Sequence, residues 1–252
     1  MTPLDVAHAD MEAAPDDDLL RMRFYERLAE SELFVLLEQD RAEVPQLFET
    51  EVGSFILVFD REDRLTEFAE GAANYAALSG RSAAQMVKGQ NVGLALNIGV
   101  APSSFLMPVP AVDWLNQTLE AKPKEQSALP ERFEPPGALP DQLLTSLDAK
   151  LATAEGLASK AFLVAVTYRD GWRGHLLAIA DAAPAAQPAL ARAISEAVIF
   201  SGVDAGELDV VFVASGDPVT EKLANVGLRF DLPELVLPKA PTVDPTKPPK
   251  LR

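Results

Sequence analysis

The hydrophobic positions of this chain recur at either helical or strand spacing. In the first half, apolar residues recur every four positions from Leu20 to Leu28, directly after a run of three aspartates. This pattern predicts an amphipathic helix with acidic residues at its start. The short apolar runs 33–37 and 54–60 predict two buried strands. Residues 1–15 show no clear period, so we predict that the N-terminus is frayed.

Charged and small residues after the second strand predict further helices. Asp60 or Asp63 is in a position to cap the helix that follows. The segment 64–80 reads as helix, interrupted or ended by glycine, and 82–89 reads as a short helix with Ser82 at its N-cap.

The segment "NVGLALNIGVAPSSF" raises the question of a ligand site. Residues 92–99 and 104–109 read as strands, and the "APSS" between them is typical of a hairpin-like return. The two glycines lack the spacing of a phosphate-binding loop, and no helix follows them directly. Asn97 stands near a strand end, where an amide can bind a ligand or tie the turn. We take Asn97, Ser103 and Ser104 as the candidate ligand-binding residues.

The second half begins after a helix at 111–121 and a proline-rich stretch. Its predicted helices are 142–158, 187–202 and 217–227, and its predicted strands are 160–168, 173–180, 207–214 and an edge strand in 228–238. Asp170-Gly171 is a strong hairpin signal between the first two of these strands. The element order predicts an antiparallel or mixed sheet covered by helices.

We therefore predict an α+β fold with two subdomains, each a small mixed or antiparallel sheet covered by helices. The predicted divisions are a frayed N-terminus (1–15), an N-terminal domain (16–121), a proline-rich linker (122–140), a C-terminal domain (141–237) and a Pro/Lys tail (238–252). The tail is basic and reads as a solvated end or as an arm that docks on an acidic groove.

Charge and composition exclude several classes of partner and chemistry. The net charge of −16 over 252 residues disfavours nucleic acid and anionic membrane surfaces as partners. The chain has no cysteine, which excludes disulfides, thiolate metal sites and cysteine nucleophiles. The first residues lack the basic and apolar segments of a secretory signal, and no apolar run reaches the length of a membrane helix. We expect a cytoplasmic protein.

The residues that often carry chemistry are scattered. His8 falls in the segment predicted to be frayed, and His175 starts a strand, so neither predicts a metal or catalytic site. Asp60, Glu62 and Asp63 can hold Mg²⁺, but a helix start explains them better. Lys88 suits either an anion or the last turn of a helix. We predict no metal and no cofactor.

The chain resembles the SseB family, a bacterial family with an N-terminal and a C-terminal domain. The resemblance rests on "FYERLAESELFVLL", "GSFILVFDREDRL", "YAALSGRSAAQMVKGQNVGLALNIG" and "FLMPVPAVDWL" in the first half, and on "LPDQLLTSLDAKLA" through "DVVFVASGDPV" in the second. The resemblance implies a cytoplasmic bacterial protein without an established activity or catalytic residues.

Two functional hypotheses follow. The first is a non-enzymatic interaction or regulatory protein of the SseB type, with a groove for a ligand or a protein partner between the domains. The absence of an assembled acid/base or nucleophile set in the sequence favours it. The second is a small-molecule binder or enzyme with a loop-built polar site near Asn97, Ser103 and Ser104. A subunit of a larger assembly is a third, lesser hypothesis, and the sequence makes no prediction of homo-oligomerisation.

Overall fold

The first half of the chain forms one mixed sheet with helices on both faces. The computed structural model describes residues 1–41, 43–120, 130–202 and 208–235. The elements of the first half are α1 (Pro3–Ala13), α2 (Asp18–Glu30), β1 (Glu32–Leu36), β2 (Leu47–Thr50), β3 (Gly53–Phe59), α3 (Glu62–Phe68), β4 (Tyr75–Ser79), α4 (Gly80–Met86), β5 (Val92–Leu96), β6 (Phe105–Met107) and α5 (Val109–Glu120).

The strand order of this sheet is β4-β1-β3-β5-β6, and β2 pairs with the N-terminal part of β3. All pairings are antiparallel except that of β3 with β5, where Val58 lies opposite Leu96. The parallel neighbours β3 and β5 lie inside the sheet, and their carboxyl ends therefore lie side by side. The antiparallel return from β5 to β6 confirms the hairpin predicted for "APSS".

Each face of this sheet has its own hydrophobic core. One face carries Val58 and Leu94 and is covered by α1, α2, α4 and α5. The other carries Leu57 and Phe59 and is covered by α3 and the loops around it. Gly93 lies where β5 passes close to its neighbours, because a Cβ there would collide with the Met107 carbonyl oxygen of β6 and lie 2.6 Å from the Phe55 ring.

The second half forms a second mixed sheet. Its elements are β7 (Pro130–Glu134), α6 (Asp141–Ala152), β8 (Lys160–Tyr168), β9 (Arg173–Ala180), α7 (Gln187–Phe200), β10 (Leu208–Val213), α8 (Pro218–Val226) and β11 (Leu228–Asp231). The strand order is β10-β9-β8-β11, with β7 also on β8, and β9 and β10 are parallel. Helices α6 and α7 cover one face, and α8 covers the other. The predicted α+β fold is confirmed, as are the hairpin at Asp170-Gly171 and the edge strand after α8.

A phenylalanine joins the two halves. Phe200, at the end of α7, is 1% exposed and belongs to the core of the first half. Its ring packs edge-on against Trp114 of α5, with ring centroids 6.1 Å apart. Leu19 of α2 packs against Gly202 just beyond α7. The last turn of α7 is thus part of both halves.

The prediction of a frayed N-terminus is wrong. Residues Pro3–Ala13 form α1, with Thr2 as N-cap and a capping box in which the Thr2 and Asp5 side chains satisfy each other's backbone N–H groups. Leu4 and Met11 are buried in the first core. The segment is ordered because it starts with a proper cap and buries one face.

Three local predictions in the first half also need correction. Residues 75–79, predicted as helix, form the edge strand β4, because five residue pairs with β1 outweigh the helix propensity of the alanines. Ser79 rather than Ser82 caps α4. Neither Asp60 nor Asp63 caps α3, whose N-cap is Arg61.

The proline-rich stretch 122–140 is in part a strand. Pro130–Glu134 pairs with β8 at the sheet edge, where a residue without an N–H is tolerated. Residues 122–129 and the tail 238–252 lie outside the described residues. The second-half helices are confirmed, although α6 ends at Ala152, earlier than predicted.

Candidate functional site at the carboxyl ends of β3 and β5

The two parallel strands of the first sheet end beside a buried polar cluster. Asp60 follows β3 directly, and Asn97 follows β5 directly. In open α/β sheets, ligands commonly bind at the carboxyl ends of neighbouring parallel strands. A ligand held by Asn97 or Ser103 would therefore be expected at this end of β3 and β5.

Asn97 is tied to the strand ends on three sides. Its backbone has φ of 48°, and its N–H donates to the Val58 carbonyl at 2.9 Å. Its side-chain oxygen accepts the Asp60 N–H at 3.1 Å, and its side-chain amide donates to Ser103 Oγ at 2.9 Å. The side chain is fully buried. Asn97 thus closes the turn and satisfies a strand-end N–H that would otherwise lack a partner.

Ser103 carries the link onward to α1. Its Oγ accepts the Asn97 amide, so its own hydroxyl proton is free to donate to Asp5 Oδ1, 2.6 Å away. Ser103 is fully buried. A loop that follows β5 therefore presents an oriented donor to a carboxylate from the start of the chain.

The Asp5 carboxylate is enclosed by donors. Arg64 Nη1 donates to Oδ1 at 2.9 Å, and Arg64 Nη2 donates to Oδ2 at 2.6 Å. The Thr2 N–H also donates to Oδ2, at 2.7 Å. Burial acts to raise the pKa of Asp5, but the hydrogen bonds from Arg64, Ser103 and Thr2, with the charge of Arg64, outweigh it and hold the pKa well below the usual 3.8. Asp5 is an anion over the whole physiological range.

A second carboxylate shares the same guanidinium. Asp60 Oδ1 accepts Arg64 Nη1 at 2.7 Å, and Asp60 Oδ2 accepts the Thr2 hydroxyl at 2.6 Å. The cluster thus holds two carboxylates and one guanidinium, all with nearly buried side chains. It joins α1, the end of β3, α3 and the β5–β6 loop.

The structure brings together two of the three predicted site residues. Ser104 lies apart from the cluster: it is exposed, and its Oγ accepts the Gly99 N–H at 3.4 Å. Sequence reasoning missed Thr2, Asp5 and Arg64. The Thr2-x-x-Asp5 spacing is a capping signal that was available, whereas nothing in the sequence links Asp5 to a serine 98 positions away.

Comparison with protein families places the first half. Residues 7–127 match the family model described as the SseB protein N-terminal domain. Residues 7–127 therefore form an SseB N-terminal domain. Searches of the curated proteins and of the solved structures found no match. Within the cluster, Asp60, Arg64, Asn97 and Ser103 lie inside the matched SseB segment, whereas Thr2 and Asp5 precede it.

The carboxyl ends of the parallel strands β9 and β10 in the second half are capped in the same way as those of β3 and β5 in the SseB domain. Asp181 follows β9 with φ of 55°, and its N–H donates to the Val213 carbonyl at 2.9 Å. Its Oδ1 accepts the Ser215 N–H at 2.8 Å. The offsets from the paired strand residues equal those of Asn97, Val58 and Asp60. An Asn or Asp residue in the left-handed region therefore caps both parallel strand pairs, β3–β5 and β9–β10, of the described residues.

Two depressions open to solvent meet the cluster of the SseB domain at Asp60. One is lined by residues from the start of α1 and the end of α2, including Thr2, Arg27 and Glu30. The other is lined by Phe34 and the first turn of α3. Asp60 is the lining residue that the two have in common.

The remaining residues considered from the sequence have structural partners. His8 is buried and packs edge-on against Phe24 and Phe105. His175 Nε2 lies 3.0 Å from the Pro136 carbonyl, and Lys88 Nζ lies 2.6 Å from Glu120. Over the described ranges, no three His, Cys, Asp or Glu side chains are grouped as metal ligands. Nor, within those ranges, does any helix have the length and apolarity needed to cross a bilayer.

Ion pairs fill the junction between the SseB domain and the second half. Arg81 donates to both carboxylate oxygens of Glu196, at 3.0 and 2.8 Å. Lys150 lies 3.5 Å from Glu26 and 3.8 Å from Glu196, and it also pairs with Glu30. Burial raises the pKa of Glu26, despite the opposing charge of Lys150. At these residues the two halves are in direct contact through charged side chains.

Proposed function

We propose that this protein is a non-enzymatic interaction or regulatory protein of the SseB type. The proposal is supported by the way its polar groups are used. The side chains of Asn97 and Ser103, the best ligand-binding candidates, are hydrogen-bonded within the protein, Asn97 to the Asp60 N–H and Ser103 to the Asp5 carboxylate. Across the described residues, every buried side-chain nitrogen or oxygen has a hydrogen-bond partner. A catalytic group, by contrast, has to face a substrate.

The observation that carries the proposal is the β2–β3 hairpin. Val52 at its turn is 76% exposed, and Leu47 on β2 is 51% exposed. Glu43, Glu49 and Glu51, which are close to them in the sequence, are also exposed. Apolar side chains that stand out from an acidic rim are typical of a protein-binding surface.

The chemistry of this hairpin defines the partner we propose. A protein segment with basic residues around an apolar anchor would match it. Nucleic acid and anionic lipid are disfavoured by the net charge of −16. We also propose a bacterial cytoplasmic setting and an SseB C-terminal domain in residues 141–237, both of which rest on the family resemblance.

The test is quantitative co-purification from the host that expresses the protein. The wild-type chain is compared with the double variant Leu47→Asp/Val52→Asp and with the control Leu228→Asp, which changes an exposed leucine on the other sheet. We expect wild type and control to retain the same partner, with weaker retention at high salt, and the double variant to lose it. Recovery of a lone monomer from all three chains, or equal retention by all three, would count against the proposal.

A further inference from the structure

We propose that Arg64 and Ser103 form a carboxylate-binding site that the chain's own Asp5 occupies. The site accepts a small external carboxylate when the Asp5 carboxylate is removed. This inference is independent of the hairpin surface and concerns the opposite chemistry, the binding of an anion.

The donors of this site are held in place by bonds that do not involve α1. Asp60 Oδ1 fixes one Arg64 nitrogen at 2.7 Å. Asn97 donates to Ser103 Oγ at 2.9 Å, which directs the serine proton away from Asn97. Asn97 is itself fixed by the Asp60 N–H and the Val58 carbonyl. Arg64 and Ser103 are therefore oriented by the body of the SseB domain, whichever carboxylate they receive.

The donor geometry is that of carboxylate recognition. Two guanidinium N–H groups meet the two oxygens of Asp5, at 2.9 and 2.6 Å, and the Ser103 hydroxyl adds a third donor at 2.6 Å. A planar, bidentate contact of this kind matches carboxylate and phosphate alike. Because Asp60 already shares the guanidinium, a doubly charged phosphate would meet more repulsion than a carboxylate.

The position of the site and the origin of its occupant agree with this assignment. The donors stand at the carboxyl ends of β3 and β5, where α/β sheets bind ligands. They lie within the segment that matches the SseB domain, whereas Asp5 comes from a helix that begins before it. Asp5, in the first turn of α1, therefore precedes the matched segment but fills a receptor that lies inside it.

The test is chemical rescue in the full chain. Asp5→Ala removes one carboxylate, and formate is its isostere. The matched control is Asp17→Ala, which removes the N-cap carboxylate of α2 at an exposed position without an arginine pocket. Melting temperatures are measured in sodium formate and in sodium chloride at equal ionic strength. A ligand of three heavy atoms binds with a millimolar Kd at best, so formate is titrated to roughly 100 mM.

We expect formate to raise the melting temperature of Asp5→Ala in a saturable manner relative to chloride. Wild type and Asp17→Ala should respond to formate no more than to chloride, because their pockets remain filled. If Asp5→Ala is unfolded, formate should restore its cooperative melt. An Asp5→Ala chain that formate neither stabilises nor refolds, or that responds no more than Asp17→Ala, would overturn the proposal. Equal rescue by sodium phosphate would overturn the assignment to carboxylate.

Discussion

Phe200 offers a direct test of whether the two halves are one cooperative unit. It belongs to α7, which covers the second sheet, yet its side chain is 1% exposed within the core of the first half. The change Phe200→Ala therefore removes a ring from the contact between the halves without replacing a residue of either sheet.

The expected cost follows from burial and from the aromatic contact. Truncating a fully buried phenylalanine to alanine typically costs about 3–5 kcal/mol, including the cavity that remains. The edge-on contact with Trp114 stabilises the fold by about 0.5–1.5 kcal/mol beyond the burial of the ring. We expect a loss of about 4 kcal/mol, a large part of the ~5–15 kcal/mol that stabilises an ordinary domain.

The two tryptophans provide a probe in each half. Trp114 lies in the first half and Trp172 in the second, so Trp172→Phe and Trp114→Phe backgrounds report the halves separately in urea unfolding. With Phe200 present, we expect the two probes to give one midpoint. With Phe200→Ala, both midpoints should fall and separate.

Phe162→Ala is the matched control for this experiment. Phe162 is 2% exposed in the second half's own core, away from the junction. Its truncation should cost a similar free energy but leave the probes coincident. The reasoning is refuted if Phe200→Ala leaves the Trp114 midpoint unchanged, or if it costs less than about 1 kcal/mol.

Three further substitutions test local claims by urea unfolding. Because burial raises the pKa of Glu26, its contribution to stability is full below pH 4.5 and is lost as pH rises through the raised pKa. Glu26→Gln should therefore be more stable than wild type at pH 8 and equal to it at pH 4. The prediction is contradicted if the stability of Glu26→Gln relative to wild type is lower at pH 8 than at pH 4. Gly93→Ala should lower the free energy of unfolding by about 1–3 kcal/mol through overpacking. The control Gly216→Ala, with open space at its Cβ, should stay within about 0.5 kcal/mol of wild type. Equal effects at both glycines would be inconsistent with the close approach at β5. Asn97→Gly should lower the free energy of unfolding by about 1–3 kcal/mol, because its side-chain hydrogen bonds are lost. Asn97→Ala should lose a further ~1 kcal/mol, because alanine is strained at the positive φ of this position. An alanine variant as stable as the glycine variant would argue against backbone strain at position 97.

The sequence predicted those elements whose pattern is local and strong. The strands at 33–37 and 54–60 are apolar runs bounded by charge, and the Asp170-Gly171 turn requires little beyond its own residues. The helix α8 begins with Pro218 and ends next to Gly227, which are start and stop signals readable without the fold.

The errors arise where partners distant in the sequence decide the outcome. Tyr75–Ser79 is rich in alanine but becomes a strand because β1 offers an edge. Pro130–Glu134 contains a proline but pairs at the outer side of β8. For the site, the sequence made Asn97 and Ser103 ligand-binding candidates, but it does not reveal that Asn97 accepts the Asp60 N–H or that Ser103 donates to Asp5. Their role depends on long-range contacts that no spacing rule encodes.

The most direct test of the central claim, an ionised Asp5 held by Arg64 and Ser103, is the difference in unfolding free energy between wild type and Asp5→Asn as a function of pH. Removing one partner of a buried ion pair costs about 3–5 kcal/mol, and we expect the lower end because Asp60 still pairs with Arg64. Since the pKa of folded Asp5 is lowered, this difference should be constant from pH 7 to about pH 5 and should shrink as pH falls through and below 3.8. A difference that is near zero at pH 7, or that stays constant down to pH 2, would contradict the account.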